Sequence, residues 1–484
     1  GLGDVYKRQL LPLILLVAMV VSGVGYGVLD AYNLVPGILT LENESLELPE
    51  TVEINLTDAK SKEVPGVNEQ AAEITAAQVQ PLIKQLVTQA QNGSQPDPAS
   101  TAPTGKTPVA TGARVGAVVI DTASGKTLGQ VNADQLMTPA SSSKVVAAAT
   151  ALKTLGPDYR FTTSTHLAGE KLFLRGNGDQ LLSAGSGNPA AISGHAGLAD
   201  LAAQTAQQLK EKKTTSVQLF LDESAFGDQG PLPNWQAQGN ESYETKPTPL
   251  AINNGLANPE LSYGYLPDPA LSAAEQFAAR LREQGINVGQ IQRGATPKEA
   301  RKIGEVKSAA LHEVMHETLK ESNNMLAEVL CRASAAKAGT GTNFPGEIKI
   351  AQKVLGDLKL EGAAFANHDC SGLSTENKIK PQLLAALIQQ AARGNDLQLR
   401  PLVASLPIGG LDGTLHDRYV QQNGAGNVRA KTGSLQNSRA LTGLVTTKSG
   451  RTLTFCVIVD SFKEGTGGIA RGAIDNFVNG LAGL

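Results

Sequence analysis

The run PASSSKVVAAATALKTLGP, residues 139–157, constrains this chain more than any other stretch. Pro139 and three serines open it, and Gly156-Pro157 is a helix stop. Between them Val145, Val146, Ala147, Ala148, Ala149, Ala151, Leu152 and Leu155 leave almost no polar face. A helix that is apolar all round is a buried helix, so the rest of the chain must supply layers to cover it. Yet Lys144 stands in the first turn, one helical step after Ser141. Residues at i and i+3 share a face, so Ser141 Oγ and Lys144 Nζ can meet. The helix N-terminus favours negative charge on the serine oxygen, and apolar surroundings favour the neutral amine. A neutral lysine takes the serine proton and makes a nucleophile without histidine. A bland alternative stands beside this: Ser-x-x-Lys is short enough to arise by chance, and Lys144 could snorkel to water.

Acyl chemistry at such a pair needs two further elements, a hydroxyl or amide that relays protons and holds substrate, and a cation beside a strand edge. Lys431-Thr432-Gly433 supplies the second and leads into strand-like sequence. Gly433 there would let a substrate backbone approach closely. Two stretches offer the first. Ser322-Asn323-Asn324 joins two helical segments, whereas Ser186-Gly187-Asn188 lies in a Gly-rich stretch. A helix–helix junction aims side chains rigidly, which favours Ser322 and Asn324.

The 484 residues are enough for two or three domains, with 41% hydrophobic and 18% charged residues, a globular balance. Lys+Arg 42 against Asp+Glu 45 leaves a net charge of -3, with no basic field to attract nucleic acid. Residues 10–29, LLPLILLVAMVVSGVGYGVL, match one bilayer crossing. Lys7 and Arg8 precede the span and acidic residues follow, so the chain after it is expected outside the cytoplasm, whether the segment stays as an anchor or is cleaved as a signal. Residues 30–106 read as a largely flexible stalk, with one helix that Pro81 would kink or interrupt. The folded body is expected to start near Val109. Residues 107–158 and 305–484 read as two parts of one domain, and 159–304 as an inserted α+β domain of its own texture.

His312-Glu313-Val314-Met315-His316 matches H-E-x-x-H, which on a helix can bind zinc with Glu313 as base. A third ligand would have to come from Glu317, Glu321 or Glu328, and no second zincin motif follows, so the histidines are read as structural and no metal is expected. Cys331, Cys370 and Cys456 are too few for a disulfide framework; one pair could form, and the spacing does not say which.

In the order S-x-x-K, S-x-N, K-T-G these motifs are the signature of penicillin-binding proteins and serine β-lactamases. Five segments agree further: PASSSKVVAAATALKTLGPDYRF, ESNNMLAEVL, DCSGLS, SLPIGGLDGTLHDR and RAKTGSLQNSRALTGLVTTKSGRTLTFCVIVD. They resemble the D-alanyl-D-alanine carboxypeptidase/endopeptidase family of class C, low-molecular-mass penicillin-binding proteins (peptidase family S13), over about Val109 to Leu484. The resemblance implies an α+β, β-lactamase/transpeptidase-like domain, an antiparallel sheet flanked by helices, with inserted domains between the first two motifs. It implies Ser141 as nucleophile, Lys144 as base, Ser322 as proton relay, and Asn324, Lys431, Thr432 and Gly433 as substrate contacts. The backbone N–H groups of Ser141 and Ser434 would form the oxyanion hole. Peptidoglycan stem peptides and β-lactam antibiotics are the implied ligands, in the bacterial cell envelope, without a cofactor. The family usually carries a small or polar residue where this chain has Cys370, which is expected to be buried. A β-lactamase and a catalytically silent peptidoglycan-binding scaffold are the rival readings.

Overall fold

The structure, a computed structural model, describes residues 67–93, 110–227, 230–360 and 365–484. The apolar segment 10–29 and most of the 30–106 stretch lie outside the described residues, among which no helix is long and apolar enough to cross a membrane.

Helix α1 (Ala76–Asn92) leads to the hairpin of β1 (Arg114–Asp121) and β2 (Thr127–Val131). A 3-10 turn, Ala140–Ser143, runs directly into α2 (Lys144–Thr154). Then come β3 (Thr162–Ala168), β4 (Lys171–Gly176), α3 (Leu198–Glu211), β5 (Ser216–Asp222), α4 (Pro269–Glu283) and β6 (Arg301–Lys307). Four helices follow: α5 (Leu311–Lys320), α6 (Asn324–Ala338), α7 (Phe344–Asp357) and α8 (Pro381–Arg393). The chain ends with β7 (Val428–Leu435), β8 (Ser438–Thr446), β9 (Thr452–Asp460) and α9 (Gly467–Ala482).

One sheet has the order β7-β8-β9-β1-β2 and is antiparallel throughout, with Val118 opposite Cys456 at the junction of its early and late strands. Its side chains alternate between two apolar layers, as the two-residue period of a strand requires. Val118, Ile120, Ala440, Cys456 and Ile458 pack toward α2, α5, α6 and α8. Val115, Val119, Leu441, Phe455, Val457 and Val459 pack toward α1 and α9. Every residue of α2 from Lys144 to Leu152 is buried, as its composition requires. The second sheet draws β6-β3-β4-β5 from residues 162–307, with α3 and α4 packed on it around Leu172, Leu174, Leu219 and Phe277. Its β4–β5 pair is parallel.

One expectation needs correction. Part of the stretch read as flexible stalk is α1, which packs on the sheet and on α9 and continues through Pro81. Val79, Ile83, Leu86 and Ala90 recur at helical spacing and are buried. Burying a Val, Ile or Leu contributes about 1.5–3 kcal/mol, enough to hold one amphipathic helix on a sheet. Pro81, the sixth residue of the helix, forgoes one intrahelical bond, and the buried apolar stripe holds the helix through it. The folded body therefore begins before Val109. Cys370 is buried, as expected, and the pair left open by the sequence is a disulfide between it and Cys331 of α6, Cα–Cα 6.5 Å, while Cys456 remains free and buried. The two are 39 positions apart, and only the packing of α6 under the Cys370 loop brings them together. Replacing both Cys331 and Cys370 by alanine should lower unfolding stability by about 2–4 kcal/mol, the usual worth of a native bridge. Urea denaturation without reductant reads this, and equal midpoints for the double variant and the parent would refute it.

Candidate active site

The start of α2 is held from three sides. Asp460, at the end of β9, accepts the Thr138 N–H at 3.0 Å, and Ser438 Oγ donates to the Thr138 carbonyl at 2.7 Å. On the third side a Cβ on Gly372 would collide with the Ala140 carbonyl, so the Cys370 loop packs backbone to backbone against the turn. Ala140 itself has φ +47°, a left-handed conformation that is unfavourable for a side-chain-bearing residue. Such strain persists only where the surroundings over-determine it. The result presents Ser141 at the helix start.

Lys144 is fully buried and makes three hydrogen bonds: to Ser141 Oγ at 2.9 Å, Asn324 Oδ1 at 2.7 Å and the Ser371 carbonyl at 2.7 Å. The last two partners are oxygens that can only accept. A neutral amine therefore keeps its two N–H bonds for them and turns its lone pair to the Ser141 hydroxyl. Burial pushes the Lys144 ammonium down to about 8, against the pull of nearby acidic groups, Asp369 among them. The alternative in which Lys144 snorkels to water does not hold.

Ser322 sits at the junction of α5 and α6 with φ +57°, also left-handed. Its Oγ accepts from Lys431 Nζ at 2.8 Å. Asn323 caps α6 by accepting the Leu326 N–H at 3.0 Å, which orients Asn324 on the first turn. Asn324 Nδ2 then donates to the Tyr243 carbonyl at 2.9 Å. Lys431 is fully buried; desolvation and the Lys144 charge push its ammonium well below the usual lysine range. Thr432 Oγ1 donates to Thr414 Oγ1 at 2.8 Å.

Strand β7 is the edge of its sheet. Among the described residues its outer edge is paired only at the start, where Gly409 N–H bonds the Val428 carbonyl and Ala430 N–H the Pro407 carbonyl. Because N–H direction repeats every two residues, the N–H groups of Thr432 and Ser434 point to that same outer edge, beside the Ser141 turn. A Cβ on Gly433 would lie 2.5 Å from the Pro139 carbonyl. The glycine thus makes room for the turn that carries Ser141, where the sequence suggested room for substrate backbone. A cavity of about 380 Å³ adjoins this edge, lined by Thr432, Ser434, Arg418, Arg439 and Arg471.

Direct hydrogen bonds thus link Ser141, Lys144 and Asn324 in one set and Ser322 and Lys431 in another, the α5–α6 junction carries a member of each, and Thr432, Gly433 and Ser434 flank them on β7. Ser186 and Asn188 are not part of the group: Gly187 N–H bonds Asp200 on α3, and Asn188 N–H bonds Gly194 within its own loop. His312 and His316 lie on α5, with His312 Nδ1 3.1 Å from the Pro157 carbonyl. Among the described residues they belong to no cluster able to share an ion; Glu328, Glu347 and Cys370 do cluster, but the Cys370 sulfur is in the disulfide.

Several contributors had no sequence signal. Tyr243 offers only a backbone carbonyl, and Asn254 reaches Asn323 Oδ1 at 2.9 Å, so the 159–304 stretch helps to line the groove. The Ser371 carbonyl is likewise invisible in sequence, although Glu328 carries a cue: a carboxylate four residues past Asn324, between the apolar residues Ala327 and Val329.

The sequence profile of the D-Ala-D-Ala carboxypeptidase 3 (S13) family matches residues 104–266 and 265–480. The carboxypeptidase DacB of Mycolicibacterium smegmatis is 32% identical over 370 residues, covering 74% of this chain and 78% of that protein. A D-alanyl-D-alanine carboxypeptidase of Actinomadura is 26% identical over 427 residues, covering 72% and 78%. Among solved structures, penicillin binding protein 4 (dacB) of Haemophilus influenzae superposes with a TM-score of 0.63 at 19% identity, over 84% of this chain and 99% of that one.

Proposed function

This chain belongs to the D-Ala-D-Ala carboxypeptidase 3 (S13) family, and on that premise we propose that it cleaves the D-Ala-D-Ala bond of peptidoglycan stem peptides through an acyl-enzyme on Ser141. The observation that carries the assignment is the Lys144 amine, committed by two carbonyl acceptors to face the Ser141 hydroxyl. Ser141 Oγ attacks the carbonyl carbon of the penultimate D-Ala while its proton passes to Lys144. The oxyanion is held by the N–H groups of Ser141 and Ser434. On collapse the C–N bond breaks, and the departing amine takes a proton through Ser322, which Lys431 orients. Water then splits the ester, releasing the shortened peptide and returning a proton to Ser141. Asn324 and the outer edge of β7 hold the peptide backbone in the manner of an added strand. Lys431, Thr432 and the arginine-lined cavity beside them suit the terminal carboxylate of D-Ala. A crosslink ending on D-Ala would be cut by the same steps. A β-lactam would acylate Ser141 with its leaving nitrogen still tethered.

The division into 107–158, 159–304 and 305–484 is supported by the two sheets, whose strands come from separate parts of the chain. For the segment 10–29 the reading is an anchor or a signal that puts the body in the cell envelope, supported by Lys7 and Arg8 before the apolar run.

Labelling with fluorescent penicillin across pH 6–10 tests the assignment. The acylation rate should rise with pH through a midpoint near 8, as Lys144 loses its proton. The adduct should be long-lived. Rapid adduct turnover would indicate a β-lactamase, and absence of labelling a scaffold.

A further inference from the structure

Helix α6 carries three inward residues, Asn324, Glu328 and Cys331, at positions i, i+4 and i+7, and all three bear on Lys144 or its partners. Asn324 accepts directly from Lys144 Nζ. Cys331 is bonded to Cys370. Glu328, fully buried, accepts the Cys370 N–H at 3.1 Å and the Ser371 N–H at 2.6 Å. The carbonyl of that same Ser371 is the third partner of Lys144, at 2.7 Å. None of the proposed proton transfers uses Glu328, yet a carboxyl group is seldom placed at zero exposure without a task.

We propose that Glu328 is a positioning residue for the base: it holds the Cys370–Ser371 backbone so that the Ser371 carbonyl fixes Lys144 Nζ against Ser141. The disulfide ties the same segment to the same helix one turn further on. The inference rests on Lys144 being the base.

Glu328 works here as a hydrogen-bonding group without charge. Burial, together with the Asp369, Glu347 and Glu244 carboxyl groups, raises its proton affinity well above the carboxylate range. Glu347 on α7 lies against it and is paired in turn with Arg332, so the proton resides on Glu328. Lys144 is faced by Glu328 from α6, Asp369 from the loop, Glu244 from the segment before Tyr265, and Lys431 from β7.

The test compares Glu328→Leu, Glu328→Asp and Glu328→Gln by active-site-titrated acylation with fluorescent penicillin over pH 6–10, with melting temperature as the folding control. Leucine keeps the volume and removes both acceptors; aspartate keeps the carboxyl and withdraws it. Each should acylate roughly tenfold to a hundredfold more slowly, the effect of misplacing a reacting group by about an ångström. In each the rising limb should also move about half a pH unit or more to lower pH, because the ammonium loses an acceptor. Glutamine, which imitates the protonated carboxyl, should recover most of the rate and keep the limb in place. If Glu328→Leu fails to fold, aspartate and glutamine decide the matter. Parent-like rates in the leucine or aspartate variant would overturn the proposal. So would slowing with an unmoved limb, which marks a merely structural role, or a moved limb in Glu328→Gln, which marks a charge acting on Lys144. Ser141→Ala, which should take no label, reports separately on the nucleophile: label retained there would remove the premise, whatever the Glu328 variants do.

Discussion

Ser141→Ala should release no D-Ala from a peptide ending in D-Ala-D-Ala and take up no label from fluorescent penicillin, while melting close to the parent. The loss should be on the order of 10⁴-fold or more, since removing a nucleophile eliminates the covalent route altogether. The fold should survive because Ser141 Oγ has one side-chain partner, Lys144, and Lys144 keeps Asn324 and Ser371 as acceptors. Ala140, the residue before it, already carries the strained conformation of the turn. D-Ala release measured beside penicillin labelling reports on both reactions. A folded Ser141→Ala protein that still takes label would move the nucleophile elsewhere and leave the Ser141–Lys144 pair without a role.

Ser322→Ala should lower turnover by roughly 10²–10⁴-fold, the usual worth of a positioned proton-transfer group. Ser322 Oγ stands 2.8 Å from Lys431 Nζ, and its left-handed backbone is fixed between α5 and the Asn323 cap of α6. Alanine leaves that backbone in place and removes only the hydroxyl that passes a proton to the departing amine. Ser186→Ala should stay within a few-fold of the parent, because the Ser186 loop bonds to α3 and to itself. Rates of D-Ala release for both variants, with melting temperatures, separate them. A crippled Ser186→Ala enzyme beside an active Ser322→Ala enzyme would refute the assignment.

The site was legible where one local pattern fixes a geometry. A helix apolar on every side had to be buried, and the i, i+3 spacing aimed Lys144 at Ser141, while only the structure closed the alternative in which the lysine reaches water. Ser322 was separable from Ser186 because a junction between two periodic segments is a rigid place, and a glycine-rich loop is not. What stayed hidden depends on chain segments meeting in space. The Ser371 and Tyr243 carbonyls are backbone atoms with no sequence signature. Glu328 read as a spare zinc ligand because its partners, two N–H groups about forty residues later, are visible only in the fold. The Cys331–Cys370 bridge was hidden for the same reason. Helix α1 was read as a helix but not as part of the folded body, for another reason: its stripe of Val79, Ile83, Leu86 and Ala90 is short and sits among Pro- and Ser-rich sequence, whose composition outweighed the period. The H-E-x-x-H run shows the converse, a strong local pattern whose histidines join no three-ligand cluster among the described residues.

Strand β1 pairs with β9 across most of the length of the chain, and the Arg114–Asp460 ion pair at one end of that register spans 346 positions. A sheet built this way cannot close while the chain is still being made. When α2 emerges from the ribosome, the strands that must cover it have not been synthesised, and its apolar surface has to wait for them. Long-range pairings of this kind are slow to form and leave hydrophobic surface exposed meanwhile. The second sheet is different, since β3 to β6 all lie within residues 162–307 and can pair as soon as that stretch is out. The order of assembly therefore differs from the order in the chain: the middle first, and the catalytic sheet only when β9 arrives to join β8 to β1.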